Sequence, residues 1–203
     1  MTIDMAARTC NWALAMTARP SVTGTAEESA FGPWLAGRLR AAGTFGAAEI
    51  WTFPVADGDA RHCVAMLLRG SGRATVILTG HYDTVTCDDY GDLAPLAVEP
   101  KALTEALLFR LRASAESPGD LLALADLESG AFQPGRGLLD MKAGLAAGFA
   151  VAEEFAARIG ASGNLSFIAV PDEEATSVGA RCGGGVEGHC DRTEPGDYCG
   201  HQP

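Results

Sequence analysis

Basic residues are scarce in this chain. Fifteen Lys and Arg stand against 26 Asp and Glu in 203 residues, a formal charge of −11. That balance disfavours a nucleic-acid or anionic-membrane partner, because affinity for phosphate comes mainly from clustered Lys and Arg. Long apolar runs are missing as well. Nothing approaches the ~20 residues that span a bilayer, and the first thirty residues hold only the stretch WALAM among Asp4, Glu27 and Glu28. No CxxC occurs, and a chain of this length does not depend on a disulfide framework. Cys10, Cys63, Cys87, Cys182, Cys190 and Cys199 are therefore expected as free thiols in a soluble, unexported protein of a reducing cytoplasm. No internal repeat is present. At 47% hydrophobic and 20% charged the composition is that of a globular chain, long enough to bury roughly 70% of its unfolded surface in one core.

Two N-terminal helices are expected. The first covers Ile3 to Thr17, and the second follows Thr25, where Glu28 three residues on completes a capping box and Phe31, Trp34, Leu35 and Leu39 recur at helical spacing. Three apolar runs come next: AEIWTF ending at Phe53, HCVAMLL (62–68) and ATVILTG (74–80). The last two are separated by Gly70-Ser71-Gly72, which predicts a hairpin turn. ATVILTG is continuous rather than alternating, the pattern of a strand buried on both faces. From Cys87 to Gly130 an acidic loop, DDYGD, precedes helical patterns around Leu103–Leu111 and Leu121–Leu127 without any strand signal. An Ala/Gly-rich helix is expected from Asp140 to Ile159, with Gly144 and Gly148 permitting close approach to a sheet, and NLSFIAV (164–170) is a strand closed by Pro171. Strand, helix, strand implies a parallel crossover. The expected fold is α/β, three α/β/α layers around a mixed, largely parallel sheet.

Three elements carry chemistry. His81 and Asp83 follow directly from the strand in HYDTV, and residues two apart in extended chain point the same way, so an imidazole and a carboxylate converge. A carboxylate there can take the second ring N–H and fix the tautomer that leaves the other nitrogen for a metal. A hydrogen-bonded loop histidine is the plain alternative. Asp140 lies at a loop-to-helix junction, where an N-cap is the ordinary role. Asp172, Glu173 and Glu174 are three successive anions at a strand end, which must be solvated or neutralised by a cation. Because all three elements fall at the carboxyl ends of parallel strands, where α/β sheets bind ligands, a site for zinc, manganese or cobalt is the economical reading.

The stretches GHYDTV (80–85), GRGLLDMKAGLA (135–146) and VPDEEATSVGA (170–180) resemble, in order, the zinc metallopeptidase and aminoacylase family of acetylornithine deacetylase, succinyl-diaminopimelate desuccinylase and carboxypeptidase G. The insert between His81 and Asp140, with DDYGDLA and EPKALTE, looks like the arginine-utilisation branch, RocB. The resemblance covers about residues 10–181. It implies a metal-dependent hydrolase of peptide or N-acyl amino acid bonds with two divalent ions, zinc before cobalt or manganese. Position by position, it implies that His81 binds one metal, Asp140 bridges both, Glu174 binds the other, Asp83 orients His81 and Glu173 is the general base that serves a metal-bridged water. It also implies a non-proline cis peptide between Asp140 and Met141. The expected partner is a small amide or peptide substrate.

Two further ligands, a later acidic residue and a distal histidine, are implied by the same resemblance, as is a lid domain that binds the substrate's carboxylate. None is recognisable here. Asp197 has the right distance from Glu173 but sits in a patternless tail. Residues 1–181 are thus expected to be the N-terminal part of a catalytic domain, and residues 182–203 an irregular tail without core elements, consistent with a shifted reading frame that leaves a truncated, inactive chain. A different class stays open: a non-catalytic binding or regulatory α/β module whose Cys182, His189, Cys190, Cys199 and His201 form a zinc-binding tail.

Overall fold

Thr25 caps the second helix as expected, but the returning bond of the capping box falls one residue earlier, on Gly24. The Thr25 hydroxyl accepts the Glu28 N–H at 3.4 Å, and Glu28 Oε2 reaches back to the Gly24 N–H at 2.7 Å. The computed structural model describes residues 4–55 and 60–182. In chain order it holds α1 (Met5–Thr17), α2 (Ala26–Ala41), β1 (Glu49–Pro54), β2 (His62–Leu68), β3 (Ser71–His81), α3 (Pro100–Ser114), α4 (Pro118–Ser129), α5 (Ala143–Ala156), β4 (Ser162–Val170) and the single turn α6 (Val178–Arg181). The segment 88–130 is helical without a strand, as its composition implies: Ser117 caps α4 by accepting the Asp120 N–H at 3.1 Å, and Gly130 closes it at φ 72°.

The sheet is mixed, in the order β1-β2-β4-β3. β1/β2 and β2/β4 are antiparallel, whereas β3 and β4 run parallel in the register Gly80↔Ala169 and His81↔Val170. α1, α2 and α5 cover one face. There Trp12, Met16, Phe31, Leu35 and Phe149 meet Val64, Met66, Leu68 and Phe167 in the main core. Gly148 sets how closely α5 can lie, because a Cβ at this position would stand 2.3 Å from Phe167 Cε2. The Phe149 and Phe167 rings pack with centroids 4.4 Å apart. On the opposite face Val55, Cys63, Ile168 and Val170 form a smaller cluster against Val178 and Cys182. The α/β class and the mixed, helix-flanked sheet match the expectation from sequence, but the sheet is not largely parallel: among the described residues two of its three strand pairings are antiparallel, because β2 follows β1 as a hairpin and β4 enters beside β2 in the opposite sense.

Two local expectations are overturned. Gly70-Ser71-Gly72 is not a hairpin turn between paired strands, because β4 inserts between β2 and β3 and pairs with both. The chain reverses there over the start of β4 instead, with Gly70 N–H donating to Asn164 Oδ1 at 3.2 Å and Ser71 N–H to the Ala161 carbonyl at 2.8 Å. Nor is ATVILTG buried on both faces. Among the described residues β3 is an edge strand with a neighbour on one side only, and Val76 and Ile77 are 61% and 48% exposed. Only Gly80 and His81, where the strand runs under the loops at its carboxyl end, are buried. No helix among the described residues is long and apolar enough to cross a membrane.

Candidate metal centre

Tyr82 fixes the orientation of its two neighbours. Its ring stacks on Phe31 with centroids 4.8 Å apart, and its hydroxyl donates to the His62 carbonyl at 2.9 Å, which holds it in the core beneath α2. Successive side chains of extended backbone point to opposite sides, so His81 and Asp83 are turned together toward the carboxyl ends of β3 and β4. His81 Nδ1 lies 3.1 Å from the Asp83 main-chain carbonyl and 3.5 Å from its carboxylate. That ring nitrogen is therefore the donor, and Nε2 faces outward.

The buried carboxylate of Asp83 does more than face His81. One oxygen accepts the Glu173 N–H at 3.1 Å; the other accepts the Glu174 N–H at 3.1 Å and the Thr23 hydroxyl at 2.8 Å. Asp83 thus ties the end of β3 to the loop after β4. Burial opposes its charge, yet these bonds and His81 together hold its pKa below the usual carboxylate range.

Asp140 is not an N-cap. α5 is preceded by Lys142, which makes no side-chain cap, and the peptide joining Asp140 to Met141 is cis. The Asp140 carboxylate, 75% exposed, projects to 3.0 Å from His81 Nε2. Glu173 Oε2 stands 3.7 Å from the same nitrogen. His81, Asp140 and Glu174 each offer one donor atom, and the three atoms lie within 4.8 Å of one another. Burial disfavours a charged His81 ring, but hydrogen bonds to Asp83 and Asp140, with the charges of Asp83 and Glu173, push its pKa up to about 9. Glu174 is raised by burial and by the crowding of Asp140, Asp83 and Glu173, against the pull of His81. Carboxylates packed round one imidazole in this way are relieved by a cation.

Of the three successive anions after β4, Asp172 is answered by a cation of the chain itself: it is buried and ion-paired with Arg61. Arg61 has no motif around it in the sequence and is not singled out there. Glu28 is visible in the sequence only as half of a capping box, whereas it also accepts the Asp172 N–H at 2.9 Å. Lys142, inside GRGLLDMKAGLA, is buried beside Phe31 and donates to the Arg19 carbonyl at 2.9 Å; burial brings its pKa down to about 7. Asp197 and the tail residues His189, Cys190, Cys199 and His201 lie outside the described residues. Cys10, Cys63, Cys87 and Cys182 are free thiols.

Residues 128–199 match the family model Peptidase family M20/M25/M40. Two proteins of Bacillus subtilis (strain 168) are similar in sequence: Uncharacterized protein YqjN, 34% identical over 131 residues, covering 64% of this chain and 23% of that protein, and Protein RocB, 33% identical over 111 residues, covering 54% and 18%. The chain thus spans about a fifth of the length of the curated relatives it matches. Among solved structures, human carnosine dipeptidase 1 superposes with a TM-score of 0.59 at 18% identity, covering 93% of this chain and 37% of that one. A leucine aminopeptidase precursor from Bacteroides thetaiotaomicron gives 0.52 at 16% identity, covering 88% and 55%. These two share the fold. In sequence the chain is similar to Peptidase family M20/M25/M40 and to RocB, and in fold to these two peptidases, in line with the resemblance that its three motifs carry.

Proposed function

We propose that His81, Asp140 and Glu174 hold a divalent metal, zinc before cobalt or manganese, and that the protein containing this chain uses it to hydrolyse amide bonds of peptides or N-acyl amino acids. The observation that carries this reading is the convergence of three donor atoms of suitable chemistry within 4.8 Å. Zinc–ligand bonds run at about 2.0–2.2 Å, and the exposed Asp140 carboxylate is free to close the remaining gap. The donor set fits. When bound, the metal lowers the pKa of a coordinated water and polarises a carbonyl oxygen.

The chain's own residues supply the rest. His81 donates from Nδ1 to Asp83, which leaves Nε2 as the donor toward the metal. Asp83 keeps the Glu173 and Glu174 main chain in register with His81 through its two amide bonds. Glu173, near the donor cluster but outside it, takes the proton of the attacking water and returns it to the leaving amine at Oε2, a task for a carboxylate that does not itself bind metal. The family resemblance implies a second ion, toward which Asp140 would also serve as a ligand. Three donor residues do not fill two coordination shells, so these residues by themselves are expected to turn over substrate poorly. The resemblance of the insert between His81 and Asp140 to the arginine-utilisation branch favours a role in arginine and amino-acid catabolism.

The test is Glu173→Gln in a full-length protein carrying these residues, assayed on N-acyl amino acids and dipeptides with zinc, manganese or cobalt. Metal content is expected to stay unchanged while turnover falls by roughly 10²–10⁴. Near-normal turnover with metal retained excludes the base.

A further inference from the structure

Three consecutive main-chain N–H groups, those of Asp172, Glu173 and Glu174, end on two buried carboxylates from distant parts of the chain. Glu28, from the first turn of α2, takes the Asp172 N–H at 2.9 Å; Asp83 takes the other two. Asp172 adopts a left-handed φ of 65°, so the chain turns sharply at the residue where Glu28 grips it. Its side chain then closes the loop on itself: Oδ2 accepts the Thr176 hydroxyl and the Val178 N–H, and its carbonyl accepts the Ser177 N–H at 2.6 Å. Glu28 and Asp172 are two buried anions facing one region, and Arg61 Nη1 meets both, paired with Asp172 Oδ1 and 3.5 Å from Glu28 Oε2. Arg61 is itself buried, just ahead of β2. Buried carboxylates brought together in this way are tolerated only with a bonded counter-charge.

We propose that Arg61 and Glu28 are positioning residues: through Asp172 they fix the main chain of Glu173 and Glu174, and so set where those two carboxylates stand relative to His81 and Asp140. This rests on the metal reading above for its consequence, though not for the geometry. Arg61, just ahead of β2, and Glu28 of α2 meet at one residue, two positions before Glu174. That meeting point places the constraint where it governs the direction of both glutamates.

The test uses the full chain and two readouts. The first is amide exchange of Glu173 and Glu174 in metal-free protein, followed by NMR; the second is titration with Co²⁺ alone, followed by its visible absorption. Arg61→Gln and Glu28→Gln are expected to speed exchange at both amides by roughly tenfold and to weaken Co²⁺ binding by roughly 10–100-fold. Arg61→Lys, which keeps the charge and guards against a variant that fails to fold, is expected to recover part of each. Glu153→Gln is the control, because it disturbs a remote buried acceptor of the Trp12 indole and should lower the melting temperature without moving either readout. Wild-type exchange and Co²⁺ affinity in Arg61→Gln and Glu28→Gln, or losses no larger than those of Glu153→Gln, overturn the proposal. If wild-type chain takes up no Co²⁺ while loop exchange still responds to Arg61→Gln, the metal reading fails and the positioning role stands.

Discussion

Asp83 Oδ2 accepts the main-chain N–H of Glu174 at 3.1 Å, joining two residues 91 positions apart in the chain. A histidine at the end of one strand and a glutamate beyond the next are thereby held by one buried carboxylate. Asp83→Asn keeps the shape but offers a single acceptor oxygen to the Glu173 N–H, the Glu174 N–H and the Thr23 hydroxyl. An amide N–H or the hydroxyl is left unmatched, at a cost of about 1–3 kcal/mol. Urea unfolding of the variant should show that loss, and metal affinity should fall by roughly 10–100-fold. Unchanged values for both would mean that Asp83 does not organise the loop.

Gly148 and Gly37 make a contrasting pair. In a helix interior Ala is favoured over Gly by about 1 kcal/mol. At Gly37 on α2 an added Cβ meets nothing within 4 Å, so Gly37→Ala should be neutral or stabilising. At Gly148 the same methyl group runs into Phe167 at 2.3 Å, and overpacking costs about 1–3 kcal/mol, which outweighs the helical gain. Denaturant midpoints of the two variants should move in opposite directions, or Gly148→Ala alone should fall. A stabilised Gly148→Ala would contradict the packing of α5 on β4.

The thiols offer a test of the second face. Burial, and behind it neighbouring Cys182, push the Cys63 thiol up to about 12. The thiolate is the reactive form, so a raised pKa keeps Cys63 protonated and inert through about pH 7–9. Maleimide labelling read by peptide mass mapping should modify exposed Cys10 in the native chain and Cys63 only after unfolding. Rapid native labelling of Cys63 would mean that the cluster with Ile168, Val170 and Val178 is open.

Much of the site was legible before the fold was known, because its chemistry sits in short, contiguous motifs. HYDTV, GRGLLDMKAGLA and VPDEEATSVGA each combine a strand or helix signal with titratable residues, and although each has an ordinary role when taken alone, the three together point to one ligand set. The expected Asp140–Met141 cis peptide is present. Groups that act across the chain stayed hidden: Arg61 stands alone in sequence, and Glu28 already had a sufficient local role in its capping box, so neither pointed to Asp172. The strands were legible individually, but their order was not. A continuous apolar run such as ATVILTG records β propensity and not its neighbours, and a glycine turn records a reversal without saying which strands it joins. Insertion of β4 between β2 and β3 made the third run an edge and removed the hairpin.

Titration of the full chain with Co²⁺ tests the central claim most directly, comparing wild type with His81→Ala, with Asp140→Ala and with the combined replacement of Cys182, Cys190 and Cys199 by Ser. The expected result is about one tightly bound equivalent in wild type, lost in His81→Ala and Asp140→Ala and kept in the cysteine variant. Binding that survives His81→Ala and vanishes with the cysteines would place the metal elsewhere and contradict a site at the strand ends.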